Sequence, residues 1–210
     1  MSLITNLINF IIYTCSIYNI DESHGLSHSL NVLNYAKKIY DSEIPKNPKL
    51  IEQERIIIIS ALLHDMCDKK YMDESTGVRN IHNFLNDKIE FSEIETIKKI
   101  ISTMSYSKVK KNGFPDFGEH QLAYHIVREA DLLTAYDFDR CMIYNTHKNS
   151  KCSILDSFND ASELFERRML KHNEDNLFVT DYSKKESVHL HTLSLNRIES
   201  WKKILRNPLI

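Results

Sequence analysis

The sequence predicts an all-α fold, a bundle of roughly seven to nine helices that each bury one face. Two observations indicate this class. Apolar residues recur at helical spacing along most of the 210 residues, and the chain has only 4 glycines and 4 prolines, too few for the many turns of a strand-rich fold. An apolar fraction of 42% is enough to fill a core. At this length we expect a single domain spanning residues 1–210.

Periodic apolar residues place the helices of the first half of the chain. An N-terminal helix buries a face formed by Leu3, Ile4, Leu7, Ile8, Ile11 and Ile12. A polar turn over residues 19–25 leads to a second helix, which ends before Pro45 and Pro48. Residues 50–68 contain four successive isoleucines, as a buried strand could. The length of this stretch and the charges before the run favour a buried central helix.

The second half of the chain continues the helical pattern. Helices are predicted around Val78 and Ile94. One extended loop is expected over residues 107–120, which contain two Gly, one Pro and three Lys. A further helix is expected over residues 121–140. Residues 150–210 are predicted to form helices that complete or cover the core, with a homodimer surface as the alternative use of this region.

Charge and cysteine content narrow the class of protein. The 27 basic and 29 acidic residues give a net charge of −2 without a long block of either sign, which argues against bulk nucleic-acid binding. The four cysteines form no CxxC pair, as in reduced intracellular proteins. The apolar N-terminus lacks a basic leader, so it is interpreted as an amphipathic helix and not as a signal peptide. We expect a soluble, cytoplasmic protein that does not enter a membrane.

Three segments place histidine and aspartate where rigid helices could aim them at one point. His24 and His28 are four residues apart and share a face if a helix begins that early. His64 and Asp65 follow the long apolar run, and Asp131 lies among alanine and leucine, where an unpaired carboxylate is costly. Each alone has an ordinary structural explanation, and an adjacent His-Asp pair arises by chance about once in such a composition. Their joint order indicates a metal site of imidazole and carboxylate ligands.

This order of residues resembles the HD superfamily of metal-dependent phosphohydrolases, whose signature H…HD…D lies on an all-α core. The resemblance runs through SHGLSHSLNVLNYA, ALLHDMCDKKY and VREADLLTAYD, within a motif-bearing core of about residues 21–140. The middle segment is similar to a nucleotide pyrophosphohydrolase-like branch, in which an Asp, a Lys and an aromatic residue follow the HD pair. The resemblance implies an HD-domain helical bundle with one divalent metal ion (Mn, Mg, Co, Ni or Fe). Its implied ligands are His28, His64, Asp65 and Asp131.

The polar residues around these ligands are candidates for catalysis and substrate binding. Asp68 lies one helical turn after His64 and is the candidate to orient or deprotonate a metal-bound water. Lys70 is the candidate catalytic cation, and Lys69 and His24 are candidates to bind the substrate, with a hydrogen bond to a metal ligand as the alternative role of His24. Four protein ligands leave coordination positions for water and a substrate oxygen. The expected function is hydrolysis of a nucleotide or a related small-molecule phosphate ester or anhydride.

Three departures from the family pattern keep other functions open. Gly25 stands where the branch has Asp, Asn31 where it has Arg, and Thr134 where a second Asp is common. The missing Arg and Asp motivate an alternative function, a non-catalytic helical protein that senses a nucleotide. A dinuclear iron oxygenase on the same fold is a third hypothesis. It needs further histidine ligands after the HD pair, and His82 is the only one nearby.

Overall fold

The computed structural model describes residues 1–149 and 151–206, and within these residues it contains ten α-helices, three short 3-10 helices and no strand. The α-helices are α1 (Leu3–Tyr18), α2 (Leu26–Glu43), α3 (Glu54–Leu63), α4 (Glu74–Leu85), α5 (Phe91–Thr103), α6 (Tyr106–Asn112), α7 (Gln121–Thr134), α8 (Phe138–Lys148), α9 (Ile154–Arg167) and α10 (Asp181–Leu205). The predicted all-α helical bundle is confirmed, with more helices than the roughly seven to nine expected.

Two segments differ from prediction and account for the larger number of helices. The prediction of an extended loop over residues 107–120 is wrong for its first part, where α6 forms. This helix buries Val109 and ends at Gly113, which has a φ of 73°. Lysine is a good helix former, so the three lysines permitted this helix. The single helix expected over residues 121–140 is divided in two. The side chain of Asp137 accepts a hydrogen bond from a backbone N–H three residues later and so begins α8.

The central helix α3 is shorter than predicted. Residues Pro48–Gln53 form a 3-10 helix, and the α-helix runs only from Glu54 to Leu63. Beyond its end the backbone tightens, since the N–H of Met66 donates to the carbonyl oxygen of Leu63 at 3.0 Å, three residues earlier. The predicted burial is confirmed, and the buried residues of α3 are Ile56, Ile57, Ile59, Ser60, Ala61, Leu62 and Leu63.

The chain forms two compact units, Met1–Asp131 and Leu132–Ile210. In the first unit α3 packs against α1, α2 and α5, and α4 packs against α5. Fully buried side chains from these helices include Leu7, Ile11, Val32, Ile59, Leu62, Ile81 and Ile97. The end of α3 is therefore surrounded by other helices. A polar side chain that directly follows it lies in a largely apolar environment, where it needs a hydrogen-bond or charge partner.

The second unit has its own apolar core between α8, α9 and α10. Its buried members are Phe138, Cys141, Met142, Phe158, Ala161, Phe165, Met169 and Ile198. On its surface Arg197 pairs with Asp139 at 2.5 Å, and the indole N–H of Trp201 donates to the same carboxylate at 2.7 Å. The single domain over residues 1–210 stays a prediction.

The N-terminal helix α1 buries a narrower face than expected. Leu7 and Ile11 are fully buried, whereas Ile4 and Ile12 are 43% and 50% exposed. Ser2 caps the helix, because its hydroxyl oxygen accepts a hydrogen bond from the N–H of Thr5 at 3.3 Å. Among the residues that the structure describes, neither α1 nor any other helix is long and apolar enough to cross a membrane.

A close approach between α4 and the segment after α3 depends on a glycine. A Cβ at Gly77 would lie 2.6 Å from both Cα and Cβ of Cys67, where no side chain can move aside. The two segments therefore pack with backbone almost in contact.

We predict that Gly77→Ala destabilises the protein by about 1–3 kcal/mol, although the same change inside a helix normally stabilises by about 1 kcal/mol. The control is Asn83→Ala at an exposed position of the same helix, which should leave stability unchanged or slightly raised. Urea unfolding followed by circular dichroism measures both. A stabilised Gly77→Ala variant would show that α4 does not pack this closely on Cys67.

Candidate metal centre

The four side chains predicted as metal ligands lie together in the first unit. His28 is in the first turn of α2, His64 and Asp65 directly follow α3, and Asp131 is on α7. The imidazole side chains of His28 and His64 are 1% and 3% exposed, whereas the carboxylates of Asp65 and Asp131 are 14% and 26% exposed. The cluster is thus covered on its histidine side and reaches solvent on its carboxylate side.

The ligand atoms converge on a small volume. Nε2 of His28 is 3.0 Å from Nε2 of His64 and 3.1 Å from Oδ2 of Asp65, and Nε2 of His64 is 3.3 Å from that same oxygen. Oδ1 of Asp131 lies 3.5 Å and 3.7 Å from the two imidazole nitrogens. Neighbouring ligands of an octahedral ion bound at about 2.1 Å are about 3.0 Å apart, so this spacing suits a small divalent ion.

The hydrogen bonds of His64 leave one ring nitrogen for a metal. Its Nδ1 is 2.9 Å from the carbonyl oxygen of Ala61, one turn earlier on α3. Because a carbonyl oxygen only accepts, Nδ1 carries the proton. In the neutral ring the lone pair of Nε2 then points into the cluster, and a backbone carbonyl fixes the tautomer of metal-binding histidines in this way.

The charges of the cluster also fit a cation. Burial lowers the pKa of His64, but the carboxylates of Asp65 and Asp131 outweigh this effect and raise the pKa to about 9. Burial raises the pKa of the Asp65 carboxyl, yet His64 and His28 hold that pKa well below its usual range. Oδ2 of Asp65 is buried and accepts no well-aligned hydrogen bond. A bound metal ion would take the place of the second proton of His64 and satisfy this oxygen.

The donor set favours a divalent ion over other groups. Imidazole nitrogens and carboxylate oxygens bind Mn, Fe, Co and Ni, and Mg accepts the carboxylates. The two negative charges of Asp65 and Asp131 balance one such ion. Because Asp131 reaches solvent, the cluster has a side from which water and a substrate oxygen could coordinate.

A second polar group adjoins the ligand cluster through His24, whose ring centroid is 6.1 Å from that of His28. Nε2 of His24 is 2.9 Å from the ammonium nitrogen of Lys70, and that nitrogen is 3.1 Å from Oδ2 of Asp68. The structure therefore brings together three of the residues predicted for catalysis and substrate binding. Lys69, the fourth, is exposed beside them.

The expectation that Asp68 shares a helical face with His64 is wrong. The helix ends at Leu63, and the chain turns before it reaches Asp68. Oδ1 of Asp68 accepts the backbone N–H of Lys70 at 2.9 Å, as in an Asx turn. This carboxylate thus holds both the turn and the Lys70 ammonium.

Two residues of this second group, Asp21 and Tyr71, were not predicted as site residues. The Tyr71 hydroxyl donates to Oδ2 of Asp21 at 2.5 Å and lies 3.0 Å from Nδ1 of His24. One sequence signal was available for Asp21, because an aspartate two residues before Ser23 in a polar turn has the spacing of an Asx turn. The N–H of Ser23 does donate to Oδ1 of Asp21, at 2.8 Å.

The departures from the family pattern have structural counterparts. Asn31 is exposed on α2. A Cβ at Gly25 would lie 3.1 Å from the carbonyl oxygen of Asp21, so the glycine permits the tight turn that carries this aspartate. Thr134 is buried, and its hydroxyl accepts a hydrogen bond from Nη1 of Arg140 at 3.0 Å.

His125, the histidine nearest to Asp131 in the sequence, lies outside the ligand cluster. Its Nε2 is 3.0 Å from the amide nitrogen of Gln121, and its Nδ1 is 3.3 Å from Nη2 of Arg128. The guanidinium of Arg128 can only donate, so Nδ1 is the accepting nitrogen of the neutral ring. Burial and the charge of Arg128 lower the pKa of His125 to about 4.

Comparison with known proteins identifies the fold. No family model matches the chain, and no curated protein matches its sequence. The chain is similar to a protein of Lactobacillus plantarum whose crystal structure was determined as a structural genomics target. The two share 20% identity with a TM-score of 0.71, over 98% of this chain and 99% of that one. At this identity the likeness shows a common fold and no more.

We predict that the protein binds one divalent metal ion per chain. His64→Ala or Asp131→Ala should each weaken binding of Mn²⁺ by more than about 100-fold, because each removes a ligand and not merely a residue that supports one. His189→Ala, which changes an exposed histidine of α10, is the control and should bind as the unaltered protein does. Calorimetric titration and metal analysis after dialysis measure both quantities. Equal affinity in all three variants would exclude this cluster as the metal site.

We predict that His125 makes the protein sensitive to acid. Its folded pKa of about 4 is below the unfolded value of 6.5, so the unfolded chain binds the extra proton in between. The stability it contributes is present above pH 6.5 and is lost as the pH falls through 4, by up to about 1.4 kcal/mol per pH unit. Between pH 6.5 and 4.5, His125→Gln should lose less stability than the unaltered protein or His189→Gln. Equal losses in urea unfolding would show that His125 is not held neutral.

Proposed function

We propose that the protein is a divalent-metal-dependent phosphohydrolase acting on a nucleotide or a related phosphate ester or anhydride. The observation that carries this proposal is the cluster of His28, His64 and Asp65. Oδ1 of Asp131 lies 3.5 Å from Nε2 of His28, and the ammonium of Lys70 lies next to the adjoining His24. A metal ion and a nearby cation together provide what an anionic phosphate group needs in order to bind and react. The resemblance to HD phosphohydrolases supports the same reaction.

The chain would contribute the geometry of the reaction. A divalent ion held by the four ligands would polarise a phosphoryl oxygen and lower the pKa of a bound water. The hydrogen bond from His64 to the Ala61 carbonyl holds the imidazole in the orientation that a metal requires. The buried imidazoles exclude water from one side of the cluster. Asp131, at the more exposed edge, marks the side from which we expect the phosphate to enter.

The lysines next to the HD pair are proposed to receive the phosphate charge. Lys70 would stabilise negative charge that develops on the leaving oxygen, and the exposed Lys69 would contact an outer phosphate. The contacts of Asp68 support a positioning role for Lys70 better than the predicted role of orienting or deprotonating the water, since both carboxylate oxygens contact that lysine. The expected cytoplasmic location also stays a proposal.

The test is an activity assay across metals and phosphates. Purified protein is incubated with Mn²⁺, Mg²⁺, Co²⁺ or Ni²⁺ and with nucleoside triphosphates, nucleoside monophosphates and an aryl phosphate. Chromatography of the products distinguishes a cleaved monoester from a cleaved anhydride. We expect metal-dependent turnover that falls at least about 1,000-fold in the His64→Ala, Asp65→Ala double variant and is unchanged in His189→Ala.

The other outcomes select between the alternatives. Tight retention of a nucleotide without product would favour the sensing protein. Two metal ions per chain would favour the dinuclear oxygenase. His82, its candidate extra ligand, has a different neighbour, since its Nδ1 lies 3.8 Å from Oε1 of Glu95 on α5. Turnover that persists in the double variant would separate hydrolysis from this cluster.

A further inference from the structure

We propose that Asp21 and Tyr71 are positioning residues that hold His24 in its Nδ1–H tautomer, so that the lone pair of Nε2 fixes the ammonium of Lys70. The role of Lys70 on a phosphate rests on the proposed function, but the tautomer of His24 does not. These residues come from two turns that are far apart in the sequence. Asp21 and His24 precede α2, whereas Lys70 and Tyr71 follow the HD pair.

The network begins with a buried carboxylate. Asp21 is 8% exposed, and its two oxygens accept hydrogen bonds from the N–H of Ser23 and the hydroxyl of Tyr71. Burial raises the pKa of Asp21, but the hydrogen bonds from Ser23 and Tyr71 outweigh it and leave the pKa lowered. The ionised carboxylate can only accept hydrogen bonds. The single hydrogen of the Tyr71 hydroxyl is therefore directed to Asp21.

This assignment fixes the proton on His24. The Tyr71 oxygen lies 3.0 Å from Nδ1 of His24 and has only lone pairs left to offer, so Nδ1 must donate. The hydroxyl oxygen of Ser23, 2.7 Å from the same nitrogen, also has lone pairs that can accept this hydrogen. Two oxygen atoms next to one N–H group favour the Nδ1–H tautomer.

The contact of the opposite ring nitrogen favours the same tautomer. Nε2 of His24 is 2.9 Å from the Lys70 nitrogen, and an ammonium group has hydrogens but no acceptor. A hydrogen on Nε2 would place two donors face to face at this distance. Lys70 is therefore held from two sides, by the Nε2 lone pair of His24 and by Oδ2 of Asp68 at 3.1 Å.

This arrangement assigns His24 a different role from the predicted substrate contact. Its Nε2 is committed to Lys70, so it has no N–H to offer a phosphate oxygen from that side. His24 is instead the residue through which Asp21 and Tyr71 act on Lys70. An ammonium held in one place stabilises developing charge more effectively than one that must first be ordered.

The test compares Tyr71→Phe with Tyr13→Phe, which removes a hydroxyl from a residue that is 65% exposed on α1. Two-bond ¹H–¹⁵N correlation spectra of the Mg²⁺-loaded protein, labelled on histidine, identify the protonated nitrogen of each ring. Loss of signals in His24→Gln assigns His24. We expect Nδ1–H in the unaltered protein and in Tyr13→Phe, and a mixture of tautomers in Tyr71→Phe. A proton on Nε2 in the unaltered protein would overturn the proposal, as would an unchanged tautomer in Tyr71→Phe.

Kinetics test whether the effect passes through Lys70. Tyr71→Phe should lower kcat roughly 10–100-fold, the range for residues that orient a functional group, and change affinity for Mn²⁺ less than about twofold. In a Lys70→Met background the same substitution should change kcat less than about twofold. If Tyr71→Phe lowered kcat by the same factor with and without Lys70, the positioning role would be overturned.

Two designs keep the outcomes distinct. If no phosphate is turned over, the proposed function fails, while the spectra still decide whether Asp21 and Tyr71 set the tautomer. If Tyr71→Phe does not fold by circular dichroism, Asp21→Asn replaces it. The neutral amide no longer commits the Tyr71 hydrogen, so the same mixture of tautomers is expected.

Discussion

The candidate site depends on the point at which a buried helix ends. α3 is enclosed by apolar neighbours up to Leu63, and the next two residues are His64 and Asp65. A charged pair in such a setting is unfavourable unless other charges and hydrogen bonds compensate it. The surrounding helices place His28 and Asp131 there, which gathers two carboxylates around two imidazoles. The architecture around α3 brings the four groups to one place, and a divalent cation would complete the balance of charge.

The convergence of the four side chains could be predicted from the sequence, because all four lie on, or directly after, rigid helices. His28 lies on α2 and Asp131 on α7, both in segments whose apolar periodicity predicts a helix. The order of these polar residues along the chain then distinguishes the candidate site residues from the other histidines and aspartates of the sequence. The all-α class followed from the same periodicity, since most helices of the structure coincide with an amphipathic pattern.

The turns around the site could not be predicted in the same way. Extending the helical pattern beyond Leu63 placed Asp68 on the wrong face, because nothing in the local sequence shows that the backbone tightens at this residue. The contact between Tyr71 and Asp21 joins residues fifty positions apart, and neither has a periodic pattern that would pair them. Helix propensity was also underestimated in the lysine-rich segment that forms α6.

The two parts of the site differ in how their geometry is maintained. The imidazoles of His28 and His64 are buried, so close packing holds them. Lys70 is 42% exposed, and ordering a free lysine costs about 2 kcal/mol of side-chain entropy. An exposed ion pair with Asp68 alone typically provides less than about 1 kcal/mol. A second contact, from the buried and oriented ring of His24, offsets the part of this entropy cost that the ion pair does not. The position of the Lys70 ammonium therefore depends mainly on the two turns that carry Asp21 and Tyr71, and less on the helices that carry the candidate metal ligands.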